Sequence, residues 1–253
     1  LLRLPGQQGV AVIARSRSGK GAGIVIPNLF EWPDSLICVD PKHENYTITA
    51  GHRARSGHAV YLFAPFSETR NTARWNPLGY IPDDPALRIN GLQRIADMLY
   101  QEAPGVDPFW SASARTLFLG IGLYVFETPG LPRTIGEILR QSSGQGQPIK
   151  QHLQRLMQQR TEGCSHPRGP LSDACVDALM RFLSTSDNTL SSILATLNAP
   201  LTVFSDPLVD AATSGDDFSV ADVRRQRMTV YVCIPPNRLA DARVLLNLFF
   251  AQL

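Results

Sequence analysis

The residues best suited to chemistry in this chain are a lysine set between two glycines, Gly19-Lys20-Gly21, at the end of a small basic turn that runs Ala14-Arg15-Ser16-Arg17-Ser18. The apolar run before the turn, residues 10–13 (VAVI), reads as a short buried strand, and the small apolar segment after it reads as a helix. A strand, a tight turn and a helix leave several backbone N–H groups unpaired around one point, with an ammonium group beside them. A phosphate fits at such a point, so nucleotide binding is the first expectation. In the usual pattern a glycine comes first and a hydroxyl residue follows the lysine. Here Ala14 and Gly21 hold those positions. Ala14 still keeps the turn small, whereas Gly21 removes the hydroxyl that touches magnesium. Mg2+ would then take its ligands from water, from Ser18 or from a carboxylate elsewhere. Read alone, the same stretch also fits a structural turn carrying a solvated lysine.

Nucleotide hydrolysis needs a carboxylate at the end of a strand to hold the metal or position water. Asp83-Asp84 and Asp216-Asp217 lie in polar, loop-like surroundings. Asp40 alone ends an apolar run, SLICV at residues 35–39, and is followed by Pro41 and Lys42. It suits water-mediated metal binding or orientation of an attacking water. It equally suits capping a turn that Pro41 fixes. His43 and Glu44 read as surface residues. Trp110, near Phe109 and Arg115, has the type to stack on bases, but an aromatic opening a long apolar helix belongs more naturally to a core.

These residues need elements to place them. Residues 35–39 and 59–63 (AVYLF) read as buried strands, with a helix over 45–56 between them whose late arginines suit the helix dipole. Strands separated by helices predict a parallel α/β sheet, with ligands at the carboxyl ends of its strands. From about residue 85 to 223 the pattern turns helical. Leu92, Ile95, Ala96 and Leu99 share one helix face; residues 110–127 form a long apolar helix; Thr134 and Glu137 have capping-box spacing; and 149–159, 171–183 and 190–197 continue the series. Strand character returns at 229–234 (TVYVCI), and a helix begins at about 240. The expected organisation is a nucleotide-binding α/β domain of residues 1–84 and 224–253 with an all-helical domain, 85–223, inserted in it. Trp75-Asn76-Pro77 is expected to pack a loop on the sheet.

With 253 residues, 43% of them hydrophobic, the chain can bury a substantial core, and its net charge of +2 does not by itself argue for nucleic acid. The clusters Arg53-Ala54-Arg55 and Arg224-Arg225-Gln226-Arg227 read as solvated surface. Cys38 and Cys233 sit in strand-like runs and read as buried thiols, while Cys164 and His166 share a loop but make no metal-ligand pattern; no metal ligand is assigned. Four scattered cysteines suit a reducing compartment. The first residues lack the charged-then-apolar order of a signal peptide, and the apolar stretch 117–126 is short for a membrane span. Both ends read as cut from a longer protein.

Taken in order, five segments resemble the TraG-like coupling ATPases of type IV secretion and conjugation: ARSRSGKGAGIVIPNL, SLICVDPKHEN, RWNPL, FWSASARTLF and DDFSVADVRRQRMTVYVCIPPNRL. Ala first and Gly after the lysine are both at home in that family's P-loop. The resemblance implies a RecA-like P-loop NTPase sheet with an inserted all-helical domain, the C-terminal part of the sheet lying beyond this segment together with its acidic strand. It implies ATP and Mg2+ as cofactors, with residues Ala14, Arg15, Ser16, Arg17, Ser18, Gly19, Lys20 and Gly21 around the phosphates and Lys20 on the outer ones. Asp40 and Lys42 would face the nucleotide or a neighbouring subunit, and Gln252 would lie near the site. It further implies a homo-hexamer on the cytoplasmic face of the bacterial inner membrane, anchored by helices outside this chain. Its partners would be relaxase–DNA complexes or effector proteins, other secretion components and DNA. Two other readings stay open: an FtsK-like DNA-translocating motor, and a substrate-docking module with a degenerate, non-hydrolysing P-loop.

Overall fold

The computed structural model describes residues 11–13, 15, 18–102, 104–160 and 169–253. Among these residues the sheet has three parallel strands, β1 (Leu36–Val39), β2 (Ala59–Phe63) and β3 (Met228–Val232), in the order β1-β3-β2. Leu36 pairs with Thr229 on one side of β3, and Ala59 with Met228 on the other. Every residue of β3 is buried, as expected of a central parallel strand rich in β-branched and aromatic side chains. One face packs Cys38, Leu62, Tyr231 and Cys233 against Leu29 and the helix α2 (Glu44–Arg55). The other packs Phe63, Val230 and Val232 into the main core, where Phe63 meets Trp75 edge-on and stacks on Phe249. Trp75 thus seals a loop on the sheet, as its sequence context predicts.

The expected strand at residues 10–13 is not found. Val10 lies outside the described residues; Ala11, Val12 and Ile13 have no strand pairing, and Ile13 is 97% exposed. An apolar run becomes a strand only where a sheet edge supplies hydrogen-bond partners, and the three-stranded sheet is built without these residues. The helix after the turn does form: a wide π-type turn, Gly21–Val25, runs into α1, Ile26–Glu31.

Between β2 and β3 the described residues form helices joined by loops, with no strand among them. The chain forms α3 (Pro85–Leu99), α4 (Pro108–Phe126), α5 (Ile135–Ser142), α6 (Ile149–Gln159), α7 (Asp173–Leu183), α8 (Asp187–Asn198) and α9 (Pro207–Ala212); α10 (Arg243–Ala251) follows β3. Three helices open on the same device. Asp84, Asp107 and Asp206 each accept a first-turn amide, and a proline stands next where no N–H is needed. At α5 half of the expected capping box is made: Thr134 Oγ1 accepts from Glu137 N at 3.1 Å, but the Glu137 carboxylate turns to Arg140 and Gln141. By length and composition α4 alone among the described helices passes as a membrane span. Its residues from Leu117 to Phe126 are nearly all buried beneath α3, α7 and α8, which is how a core helix behaves. One buried core runs from the sheet into these helices.

Arg53 departs from the solvated surface expected of its cluster: it is 1% exposed. The last turn of α2 lies over the amino ends of the strands, and the guanidinium there donates to Thr229 Oγ1 (2.9 Å), to the Asp34 carbonyl (2.8 Å) and to the Trp32 carbonyl. Its remaining neighbour, His58 Nδ1, is 3.2 Å away. Neutral acceptors take the place of a carboxylate, and burial holds the guanidinium below its ordinary pKa. Arg55, Arg225 and Arg227 are exposed as expected.

Candidate functional site

The turn before α1 is built by its glycine. Gly19 sits at φ +82°, in the left-handed region that a side chain makes costly, and nothing approaches the place of a Cβ within 4 Å. Ser18 N donates to the Arg15 carbonyl at 3.3 Å, and Gly23 N to the Gly19 carbonyl at 2.7 Å, so the chain reverses and enters the helical turn at once. The Lys20 ammonium curls back over this turn and donates to the Arg15 carbonyl at 2.8 Å, with Ser18 Oγ at 3.5 Å. Arg15, Ser18, Gly19, Lys20 and Gly21 therefore form one compact, largely exposed loop. Ala14, Ser16 and Arg17 lie outside the described residues. The space at Gly21 and Gly23 is open as well.

These features fit a phosphate. The ammonium rests on a carbonyl oxygen that a phosphate oxygen can replace, and the uncluttered glycines leave the backbone N–H groups approachable. For magnesium the fit is incomplete. Position 21 has no hydroxyl, and no three His, Cys, Asp or Glu side chains among the described residues gather to hold a metal ion.

Asp40 is 2% exposed at the end of β1. Its N–H extends the ladder to the Val232 carbonyl (2.9 Å), and its Oδ2 accepts from Tyr46 N (2.9 Å) in the first turn of α2. The residue before that helix, His43, has φ +61° and caps nothing with its own side chain, so Asp40 performs the capping. The turn-fixing role is the one these bonds carry. Beneath it lie two thiols. Burial, reinforced by the Asp40 charge, pushes Cys38 up to about 11 and Cys233 to about 12, leaving both protonated and inert at neutral pH.

Lys20 and Asp40 are held in separate settings, the first by its own loop and the second by the β1–α2 corner. Lys42 and His43 border a cleft of about 280 Å³ at the carboxyl ends of the strands, which no described residue of the Lys20 loop lines. Gln252 is tied to the Pro77 carbonyl (3.0 Å), beside Trp75 and Asp216. Asp217 pairs with Arg74 at 2.7 Å, and Asp83 with Arg133. Trp110 is half-buried against the core. Cys164 and His166 lie outside the described residues. The residue that sequence reading missed is Arg53; a helix separated from the next β-strand by three residues was the signal that its last turn covers the sheet.

Comparison with known proteins agrees with this architecture. All of residues 1–253 match the family described as Type IV secretory system Conjugative DNA transfer. The protein VirD4 of Rhizobium radiobacter is 32% identical over 244 residues, which are 96% of this chain and 34% of that protein. The conjugal transfer protein TraG of Escherichia coli is 26% identical over 253 residues, 97% of this chain and 39% of that protein. This chain thus spans little more than a third of the length of these relatives. Among solved structures, the bacterial conjugative coupling protein TrwBdeltaN70 superposes with a TM-score of 0.55 at 16% identity, over 92% of this chain and 47% of that one. TrwB solved in complex with ADP and Mg2+ gives 0.50 at 15% identity, over 85% and 43%. The fold is that of RecA-like coupling proteins, and the chain belongs to the type IV secretory system conjugative DNA transfer family.

Proposed function

We propose that this chain is the nucleotide-binding part of a coupling protein that hydrolyses ATP to recruit and drive relaxase–DNA complexes or effector proteins into a type IV secretion channel. The observation that carries the reading is the left-handed Gly19 with Lys20 folded over it at the start of a helical segment, in a chain that matches the family from end to end. Ala14 through Gly21 would surround the phosphates and Lys20 would bind the outer ones, supplying positive charge where negative charge grows during phosphoryl transfer. ATP and Mg2+ are the cofactors, in keeping with the ADP and Mg2+ held by TrwB. The metal's ligands would come from water and from carboxylates outside this segment, and Asp40 would act by fixing the loop that carries Lys42. Residues 1–84 and 224–253 would form the nucleotide-binding domain and 85–223 the all-helical one, within a homo-hexamer at the inner membrane.

The test is ATP turnover by the longer protein, and substrate transfer in cells, with and without Lys20→Ala. Loss of both, with the fold retained, is the expected outcome. Unchanged turnover would refute the assignment of the loop, and binding without turnover in every form would favour a docking module.

A further inference from the structure

The cleft at the carboxyl ends of the three strands carries the Lys42 ammonium beside neutral hydroxyl and carboxamide groups that both donate and accept. Its walls come from the loops after β1, β2 and β3, where a parallel sheet places its ligands. Lys42 and His43 stand on one side and Ser67, Thr69 and Asn71 on the other, and no carboxylate among the described residues lines it. The Lys42 ammonium and the Asn71 carboxamide have no hydrogen-bond partner among the described residues. Ser67 Oγ and Thr69 Oγ1 lie 3.0 Å apart, so one hydroxyl proton serves that bond and the other remains available. Beneath them lie Leu62, the Cys233 thiol and Phe66, whose ring also carries the Arg238 guanidinium 4.7 Å from its centroid. The Asp40 charge below is engaged by Tyr46 N. Two of the described non-glycine residues in the left-handed region, His43 (φ +61°) and Arg70 (φ +57°), occur in the two loops that carry these donors.

An ammonium, a carboxamide and a hydroxyl arranged over an apolar floor suit an oxyanion attached to a small flat body. We propose that this cleft is a second anion site, separate from the Lys20 loop, which takes the phosphate of a phosphate monoester through Lys42 and Asn71 and seats the rest of the ligand on Phe66. The proposal does not depend on the reading of the Lys20 loop, since the two share no described residue.

The experiment is a calorimetric titration of the full-length protein carrying Lys20→Ala, with inorganic phosphate and with adenosine monophosphate as probes. Removing Lys20 leaves the cleft as the phosphate site under test. Saturable binding of both probes is expected, with the monophosphate tighter because its base covers the floor. Adding Lys42→Ala should weaken both by at least about tenfold, the loss of one charge-assisted hydrogen bond, and Asn71→Ala should weaken them severalfold. Both substituted side chains are exposed, so the melting temperature should hold. Abolition of all phosphate binding by Lys20→Ala alone, or unchanged affinity after Lys42→Ala, would overturn the site. Equal affinity for the two probes would overturn the role of the floor. Undiminished ATP binding in the Lys20→Ala protein, abolished by Lys42→Ala, would instead count against the Lys20 loop.

Discussion

Single residues decide how the sheet is held and how it responds to pH. Arg53 joins α2, the turn before β1, and β3 through three neutral acceptors, two of them backbone carbonyls. Arg53→Met keeps the stem and removes the donors, so those acceptors are left dry. The expected cost is about 2–4 kcal/mol, to be read from urea unfolding. Two histidines predict acid sensitivity. Burial holds His58 below its ordinary value of 6.5, helped by Arg53 and Arg227, and holds His152 below it likewise, helped by Arg155. A group whose folded pKa is depressed is protonated more readily in the unfolded chain. Stability from both is therefore complete above 6.5 and falls as the pH drops through the lower folded values. Unfolding free energies measured between about pH 7.5 and about pH 5 should decline, and decline less in His58→Gln and His152→Gln proteins. A flat profile in the parent would contradict the neutral, buried state of both rings.

At the level of elements, close packing competes with helix propensity. A Cβ on Gly120 would come within 2.8 Å of Leu179 Cδ2 and 3.1 Å of Ala178 Cβ on α7. Gly120→Ala gains about 1 kcal/mol of helix propensity and loses about 1–3 kcal/mol to overpacking. The net expectation is destabilisation of about 1 kcal/mol; a rise in melting temperature would show that α4 and α7 separate easily. Much of this layer was legible from sequence. β2 falls on 59–63 and α6 on 149–159, as the alternation and the 3.6 period require. The lysine turn was legible too, because glycine chemistry is local. What sequence could not give was pairing. Residues 11–13 have the composition of a strand, but whether a strand forms depends on a partner elsewhere in space. Likewise the bond that Asp40 accepts from Tyr46 N, six residues away, could not be read from its own neighbours. The cleft beside Lys42 and Asn71 was invisible, since it needs three loops that are distant in sequence.

Over the whole molecule, a small parallel sheet is covered on one face by α1 and α2 and on the other by a core shared with the helical stretch. The division at 85 and 223 predicts that residues 85–223, made alone, give a soluble and chiefly helical circular dichroism spectrum. A dominant β signal would contradict it. The loop of Lys20 stands at the exposed end of a helical segment whose only buried residue is Leu29. Filling that loop with a triphosphate is the event on which the functional account rests. The most direct test is a titration of ATP into the purified protein and its Lys20→Ala variant, with melting temperatures recorded for both. The account predicts saturable binding by the parent, weakened at least about tenfold in the variant at unchanged melting temperature. Equal affinity in the two would contradict it and leave Gly19-Lys20 as a structural turn.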